Sequence, residues 1–266
     1  AEDRPLGGRQ FLLTRPRQNM SSLANRLRDA GAQVIEMPAI HTEPVSPNEP
    51  LKSALIRFGQ HEEDRWLVFT STIGVNVFFG FLKEMKMDLR SVFCGKGTVR
   101  IGAIGSATAD ALCGYGLIPD AVPDTYSAGE LGREIAKMSQ PGEYVLIVRA
   151  ENGSEDLIPP LTDRGLAVDD IPLYRTVYEV NSMLREEAGR MLQRREIDAV
   201  TFTSASTVHG FVRAMGEMDY SGICAVCIGE QTARAAAEYG MRTETAEQAS
   251  MDAMVRKITD LFGKSR

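Results

Sequence analysis

The phrase VFTSTIGVNVFF, residues 68–79, leads from large apolar residues through three small hydroxyl residues into an apolar stretch of helical period. Nearly the same phrase, VTFTSASTVHGFV, returns at residues 200–212. A short apolar run that ends in Ser or Thr and continues as a helical pattern is typical of a buried strand followed by a capped helix. The phrase therefore predicts a strand–helix unit that occurs twice.

These two phrases belong to a longer internal repeat. Residues 11–42 align with residues 145–176, and residues 99–117 align with residues 224–241. In the second pair, both copies carry Gly-x-x-Thr at the same place. The spacing between the copies changes only where loops are expected. The chain is therefore predicted to consist of two diverged copies of one half.

Each copy alternates short apolar runs with stretches of helical period. The runs FLLT, QVIEM, WLVFT and VRIGAI occur in the first copy, and YVLIV, LAVDDI, AVTFT and CAVCI in the second. Strands separated by helices of about 10 to 15 residues are expected to lie parallel, with helices on both faces of the sheet. Burial on both faces explains why the runs are continuously apolar. The prediction is an α/β fold with parallel sheets.

Two segments interrupt this alternation. HTEPVSPNEP, residues 41–50, is rich in proline and expected to be extended, whereas PLYRTVYEVNS, residues 172–182, is rich in β-forming residues. We expect both to cross between two domains and to form a hinge near residues 38–48 and 172–182. The expected domains are residues 1–42 with 176–266, and residues 43–175.

The composition argues against several classes of function. The 266 residues carry 30 basic and 36 acidic side chains, a net charge of −6, which argues against a nucleic-acid partner. No apolar run reaches the roughly 20 residues that span a bilayer, and the N-terminal stretch has no apolar segment of signal-peptide type. We therefore expect a cytoplasmic protein with no membrane partner and, by default, a monomer.

Cys224 and Cys227 have the C-x-x-C spacing of some metal and redox sites. They lie in the apolar run GICAVCIG, and residues three apart on a strand point to opposite faces. No second C-x-x-C and no nearby histidine completes a site, so we interpret both as buried structural residues and expect no metal. The chain also lacks the G-x-G-x-x-G, Walker, G-x-S-x-G and H-E-x-x-H motifs, so no cofactor is indicated.

Hydroxyl residues recur where predicted strands end and helices begin. The carboxyl ends of parallel strands form the ligand-binding edge of α/β folds, and helix N-termini there attract anions. Ser and Thr are also ordinary helix caps, so two interpretations stay open, capping alone or binding of an anionic ligand. The residues are Thr14, Ser71, Thr72, Ser106, Thr108, Ser204, Ser206 and Thr232.

Three further residues are candidates for chemistry. Arg15 and Arg149 end equivalent strands, and each either clamps a carboxylate or forms a structural ion pair. Tyr174 stands where the first copy has Ile40. Its phenol, which titrates near about 10 when unperturbed, is either a hydrogen-bond donor facing the space between the domains or a packed side chain.

The ordered phrases FTS...VNVFF, VRIGAIGSATADAL, VLIVRAENG, IPLYRT, DAVTFTSAST and CIGEQTARAAAEYGM resemble the uroporphyrinogen-III synthase family, from about Arg9 to Leu261. The resemblance implies two flavodoxin-like parallel-sheet domains joined by a two-stranded connector. It also implies the reaction: linear hydroxymethylbilane loses its terminal hydroxyl and closes with inversion of ring D to uroporphyrinogen III, without a cofactor. The acetate and propionate arms of this substrate suit a cleft with many N–H and hydroxyl donors.

The resemblance also assigns roles. Tyr174 in PLYRT corresponds to the cleft tyrosine of the family and is expected to assist departure of the hydroxyl. The bilane is expected to be handed over by the preceding enzyme of the pathway. Together with the strand-end positions, the expected substrate-binding residues are Thr14, Arg15, Ser71, Thr72, Gly105, Thr108, Arg149, Ser204, Gly229 and Thr232.

Two other functions stay open from the sequence. One is a non-catalytic two-domain protein that clamps an anionic ligand, against which the missing signal peptide weighs. The other is a nucleotide-sugar transferase built from two similar α/β domains, against which the small size and the lack of a nucleotide motif weigh.

Overall fold

The computed structural model describes residues 4–14, 21–38, 40–179 and 182–264. The chain divides into two compact units. Unit 1 comprises Ala1–Thr42 and Thr176–Arg266, and unit 2 comprises Glu43–Arg175. Two five-stranded sheets form the centres of these units.

The strands are β1 Gln10–Thr14, β2 Gln33–Glu36, β3 Ile40–Pro44, β4 Arg65–Phe69, β5 Val99–Ala103, β6 Tyr144–Ala150, β7 Ala167–Tyr178, β8 Ala199–Phe202, β9 Cys224–Cys227 and β10 Arg242–Thr245. The helices are α1 Ser21–Asp29, α2 Glu49–Gln60, α3 Thr72–Glu84, α4 Leu89–Val92, α5 Ser106–Cys113, α6 Ala128–Lys137, α7 Ile158–Asp163, α8 Ser182–Gln193, α9 Ala205–Met215, α10 Glu230–Glu238 and α11 Met251–Phe262.

The sheet of unit 1 has the strand order β10-β9-β8-β1-β2, and neighbouring strands pair in parallel. Side chains from β1 alternate between two apolar clusters, Phe11 and Leu13 in one and Leu12 in the other. Both faces of the sheet are therefore covered, which accounts for the continuous apolar run FLLT.

The sheet of unit 2 has the order β3-β7-β6-β4-β5, with parallel pairing from β7 through β5. Trp66 and Val68 of β4 pack into one apolar cluster, whereas Leu67 and Phe69 pack into the opposite one. Full burial of one such side chain contributes about 1.5 to 3 kcal/mol. The predicted α/β fold with parallel sheets and helices on both faces is confirmed.

Each sheet draws strands from both sequence copies. In unit 1, β1 and β2 come from the first copy, whereas β8, β9 and β10 come from the second. Numbered by their place within a copy, these strands read 2-1-3-4-5, which is the flavodoxin order. In unit 2, β7 and β6 of the second copy meet β4 and β5 of the first, and β3 is added beside β7. Each sheet thus combines the first two strands of one copy with later strands of the other copy.

β3 and β7 are neighbours, and each runs across a boundary between the units. The backbone N–H of Val45 donates to the carbonyl of Leu173 at 2.9 Å, and Asn48 Nδ2 donates to the carbonyl of Pro172 at 2.8 Å. The sequence predicted LAVDDI and the crossing segment as separate elements, whereas they form a single 12-residue strand. Pro172 does not end β7 because it lies at a bulge, where proline is tolerated.

Candidate active site

Tyr174 and Ser71 are in direct contact at the strand-end edge of unit 2. Ser71 follows β4 and is the N-cap of α3, where its Oγ accepts a hydrogen bond from the Gly74 backbone N–H at 2.9 Å. Tyr174 Oη lies 2.8 Å from Ser71 Oγ, and Tyr174 is only 6% exposed. Ser71 therefore both caps a helix and holds a buried phenol.

A β-bulge directly precedes Tyr174. In the pairing of β6 with β7, Arg149 lies opposite Pro172 and Ala150 lies opposite Tyr174, so Leu173 is an extra residue. A bulge shifts the alternation of side chains between the two faces of a sheet by one position. The extra residue therefore sets the face on which the Tyr174 phenol lies.

The environment of Tyr174 keeps its phenol protonated. Burial raises the pKa of Tyr174, the hydrogen bond with Ser71 lowers it, and the nearby Tyr126 raises it again, with a net shift upward. A neutral phenol retains an O–H that can be donated. Tyr174 is therefore a hydrogen-bond donor throughout the neutral pH range.

Gly74 leaves the room that this pair occupies. A Cβ at Gly74 would lie 3.0 Å from Ser71 Oγ and 3.8 Å from Tyr174 Cε1. Gly74 lies in the first turn of α3, where any residue fits the backbone conformation, so space and not backbone geometry is the reason for a glycine.

Gly105 and Tyr126 form a second contact at the same edge. Gly105 is the N-cap of α5 with an extended φ of −164°, so its backbone does not require glycine. A Cβ there would lie 2.8 Å from Tyr126 Cδ2 and 3.3 Å from Cε2. The Tyr126 ring thus rests against the Cα of Gly105, while Tyr126 remains 60% exposed. Tyr126 is not among the residues that the sequence predicted for the site, although its place directly before the helix cap Ser127 was an available signal.

The threonines of the two Gly-x-x-Thr sequences share one environment. Thr108 and Thr232 are the third residues of α5 and α10 and are 3% and 4% exposed. Neither hydroxyl forms a hydrogen bond to any part of the chain that the structure describes. Both hydroxyls therefore keep their hydrogen-bonding capacity for another molecule.

The equivalent helix starts of unit 1 are arranged differently. Ser204 caps α9 through a reciprocal pair of hydrogen bonds with Thr207, at 3.1 Å and 3.2 Å. Gly229 caps α10, and nothing lies within 4 Å of a Cβ built on it. Unit 1 thus has a satisfied serine cap and an open glycine, where unit 2 has contacts to two tyrosines.

Two of the residues predicted to bind the substrate form hydrogen bonds or an ion pair within the protein instead. Arg149, 3% exposed, forms a bidentate ion pair with Asp170 at 2.8 and 3.0 Å and donates to the Ser154 carbonyl at 2.8 Å. Thr14 is fully buried, and its hydroxyl donates to the Thr201 carbonyl of the neighbouring strand at 2.6 Å. Of the two interpretations of Arg149, the geometry matches the structural ion pair. We therefore leave Arg149 and Thr14 out of the proposed site.

Thr72 and Arg15 are the last two of the expected substrate-binding residues. Thr72 is the first residue of α3 and is exposed. Arg15 lies outside the described residues.

Cys224 and Cys227, the C-x-x-C pair, have the character of core residues. Cys227 packs in one apolar cluster of unit 1 and Cys224 against the opposite one. Burial raises the pKa of the Cys227 thiol to about 12 and also raises that of Cys224, so neither is a reactive thiolate at neutral pH. Within the described ranges, no three His, Cys, Asp or Glu side chains are grouped to hold a metal ion. The same residues include no helix with the length and apolar character needed to cross a membrane.

Solved structures share this fold. Over 95% of the chain, the structure matches a mutant uroporphyrinogen III synthase from the extremely thermophilic bacterium Thermus thermophilus with a TM-score of 0.65 and 19% identity, covering 98% of that protein. Over the same share of the chain, it matches the synthetase from Helicobacter pylori with a TM-score of 0.60 and 16% identity, covering 99% of that protein.

Sequence comparison is more specific. The porphyrin biosynthesis protein HemD of Ruminiclostridium josui is 34% identical over 98% of the chain, which spans 50% of that relative. The uroporphyrinogen-III synthase of Synechococcus elongatus is 28% identical, with 96% of both proteins covered. The model of the family described as uroporphyrinogen-III synthase HemD matches residues 21–256. With the fold, the repeat and nearly the whole length in agreement, the chain belongs to the uroporphyrinogen-III synthase family.

Proposed function

We propose that this chain cyclises hydroxymethylbilane with inversion of ring D and releases uroporphyrinogen III. The observation that carries the proposal is the 2.8 Å contact between Ser71 Oγ and Tyr174 Oη, at the carboxyl ends of the strands of unit 2. That edge of a parallel sheet is where α/β proteins bind their ligands.

The hydrogen bonds around Ser71 give Tyr174 its role. Ser71 Oγ accepts the Gly74 N–H, so its own proton remains for donation to Tyr174 Oη. Donation in that direction frees the proton of the phenol for the terminal hydroxyl of the bilane. A hydrogen bond from Tyr174 then stabilises the negative charge that develops on the leaving oxygen as the carbon–oxygen bond breaks.

The carboxylate arms of the bilane require donors more than acids or bases. Helix starts at the strand ends supply unpaired backbone N–H groups with a partial positive charge, and these favour anions. We assign such contacts to the starts of α3, α5, α9 and α10. The free hydroxyls of Thr108 and Thr232 add one donor each at α5 and α10.

Orientation is the main task of this site. The bilane closes unaided to the isomer without inversion, so the protein has to hold it in the geometry in which the substituted carbon of ring D is attacked. Fixing reacting groups in one geometry accelerates a reaction strongly without acid–base groups of unusual strength. Many weak donors together with one buried phenol suit this task.

The test is the identity of the porphyrin product. Freshly prepared hydroxymethylbilane is incubated with the protein, the product is oxidised, and the isomers are separated by chromatography. A predominance of the type III isomer is expected. Recovery of the type I isomer alone, at the rate of the protein-free reaction, would overturn the proposal.

We further propose that the chain acts in the cytoplasm as a monomer, on bilane handed over by the enzyme that makes it. The support is the resemblance to the family. Sedimentation of the purified protein tests the monomer. For handover, the rate with bilane generated in place is compared with the rate on free bilane, and equal rates would contradict it.

A further inference from the structure

Tyr126 is an exposed aromatic residue in a position that the protein fixes from both sides. On its C-terminal side, Ser127 caps α6, with its Oγ accepting the Glu130 N–H at 3.3 Å. On its N-terminal side, the Ala121 carbonyl accepts the Ala103 N–H at 2.9 Å, and the Asp120 carboxylate accepts the Ile101 N–H at 2.7 Å. The backbone around Tyr126 is therefore held beside β5 and at the start of α6.

Gly105 leaves the space that the ring occupies. The contact of Cδ2 with a Cβ at Gly105 would be 2.8 Å, which real side chains do not adopt, so the ring occupies space that only a glycine leaves open. Scattered exposed aromatic residues are ordinary on protein surfaces. The arrangement at Gly105 is more specific than a scattered exposed aromatic residue. Any residue could adopt the backbone conformation of Gly105, but the exposed Tyr126 ring occupies the space that a side chain there would need.

The second sequence copy lacks this arrangement. Ala249 aligns with Tyr126, and the space around Gly229, the equivalent of Gly105, is open. Tyr174, which aligns with Ile40, is likewise present in one copy only. Tyr126 and Tyr174, each present in one copy only, therefore both lie in unit 2. They are also electrostatically coupled, since Tyr126 contributes to the raised pKa of Tyr174.

We propose that Tyr126 positions the substrate by packing the exposed part of its ring against a pyrrole ring of the bilane, beside the hydroxyl that Tyr174 addresses. This inference rests on the proposed function. A bilane combines flat pyrrole rings with anionic arms. The helix starts donate hydrogen bonds to the arms but offer no surface for the rings. Tyr126 supplies the flat apolar surface, because aromatic faces prefer offset-stacked or edge-to-face contact with other rings.

The first test separates the ring from its hydroxyl. Tyr126→Phe keeps the ring and is expected to retain kcat/KM within about 3-fold, whereas Tyr126→Ala is expected to lower it about 10-fold, mostly through KM. The fraction of type I isomer should rise with the alanine variant, because misplaced bilane closes unaided. Ile118→Ala, which removes an 81% exposed apolar side chain from the same unit, is the matched control and should leave both measurements unchanged.

The second test addresses the contact with Gly105. Gly105→Ala displaces the ring and is expected to reduce kcat/KM in the wild-type background. The same substitution in the Tyr126→Ala background should cause a clearly smaller loss, because no ring remains to be displaced and only the effect of the added methyl group at the start of α5 is left. Equal losses in the two backgrounds would show that Gly105 acts independently of Tyr126.

The outcomes distinguish this inference from the proposed function. If the wild type produces the type III isomer while Tyr126→Ala, with an unchanged melting temperature, keeps its kcat/KM and isomer ratio, the role of Tyr126 is refuted and the function stands. An equal loss in Tyr126→Phe and Tyr126→Ala would assign the effect to the hydroxyl and also refute packing through the ring. Failure of the wild type to produce the type III isomer refutes both.

Discussion

Ser71 Oγ and Tyr174 Oη lie 2.8 Å apart although 103 positions separate the two residues in the chain. The contact joins the cap of α3 to the strand that leaves unit 2, and the bulge at Leu173 sets the face of β7 on which the phenol lies. A serine that only capped α3 would have no need of a buried phenol beside it. The pair therefore supplies a geometric reason to test each partner separately.

Tyr174→Phe removes the phenolic O–H and leaves the ring in place. We expect kcat to fall about 100-fold, the lower end of the range for loss of a positioned proton donor. Stability should decrease by about 1 kcal/mol, because a single hydrogen bond is lost. Turnover and urea denaturation measure the two effects, and unchanged turnover in a folded variant would show that the hydroxyl is not needed.

The raised pKa of Tyr174 predicts how activity responds to alkali. Burial, the largest cause, favours the neutral phenol, so the pKa of Tyr174 lies above the ordinary tyrosine value of about 10. The stabilisation of the neutral form is complete below that value and is lost as the pH rises through the folded-state pKa. We expect kcat to show no loss from Tyr174 between about pH 7 and 9. A decline in this window that disappears in Tyr174→Phe would contradict the upward shift.

Ser71→Ala removes both the helix cap and the partner of the phenol. Loss of the cap should lower the free energy of unfolding by about 1 kcal/mol. Ser250→Ala is the matched control, because Ser250 Oγ caps α11 in the same way, by accepting the Ala253 N–H at 3.1 Å. We expect Ser71→Ala to lose about 1 kcal/mol more stability than Ser250→Ala, because it also loses the hydrogen bond with Tyr174. A large decrease in kcat is expected only in Ser71→Ala. Equal kcat values in Ser71→Ala and Ser250→Ala would show that Ser71 acts only as a helix cap.

Gly74→Ala tests the space around the pair. The added Cβ would be 3.0 Å from Ser71 Oγ, so the Ser71 hydroxyl has to shift, its hydrogen bond with Tyr174 is disturbed, and kcat should fall. Gly80, in the same helix, has nothing within 4 Å of a built Cβ, so Gly80→Ala should gain up to about 1 kcal/mol of stability without a change in kcat. If the two variants behave alike, the close approach at Gly74 has no functional meaning.

The sequence predicted much of the fold but little of the contact geometry. Continuous apolar runs identify strands that are buried on both faces, such as β4 and β6. β10, with the sequence RTET, has no apolar run because it lies at the edge of its sheet and its side chains are exposed or half-buried. Local patterns therefore identify central strands more readily than edge strands.

The same limit applies to the site. Ser71 and Tyr174 were each identified as candidates, but no local pattern indicates that their hydroxyls meet. Tyr126 was missed because its contact with Gly105 exists only once the chain before α6 lies beside β5. Pairing between distant segments determines all of these contacts. Local patterns in a single sequence do not indicate which segments pair or in which register.

Arg149 shows how register decides between two roles. Ile147, two residues before Arg149 in β6, pairs with Asp170 of β7, and the Asp170 carboxylate lies within 2.8 Å of the guanidinium. Arg149→Met removes the partner of an Asp170 carboxylate that is itself about one-third exposed, so water replaces part of the lost interaction and the free energy of unfolding should fall by about 1 kcal/mol. kcat and KM should stay close to the wild type when measured well below the melting temperature. Denaturant titration and steady-state kinetics provide the two readouts, and Asp170→Asn should reproduce the loss of stability. An increase in KM with unchanged stability would instead mean that the guanidinium binds an arm of the bilane and that its pairing with Asp170 is incidental.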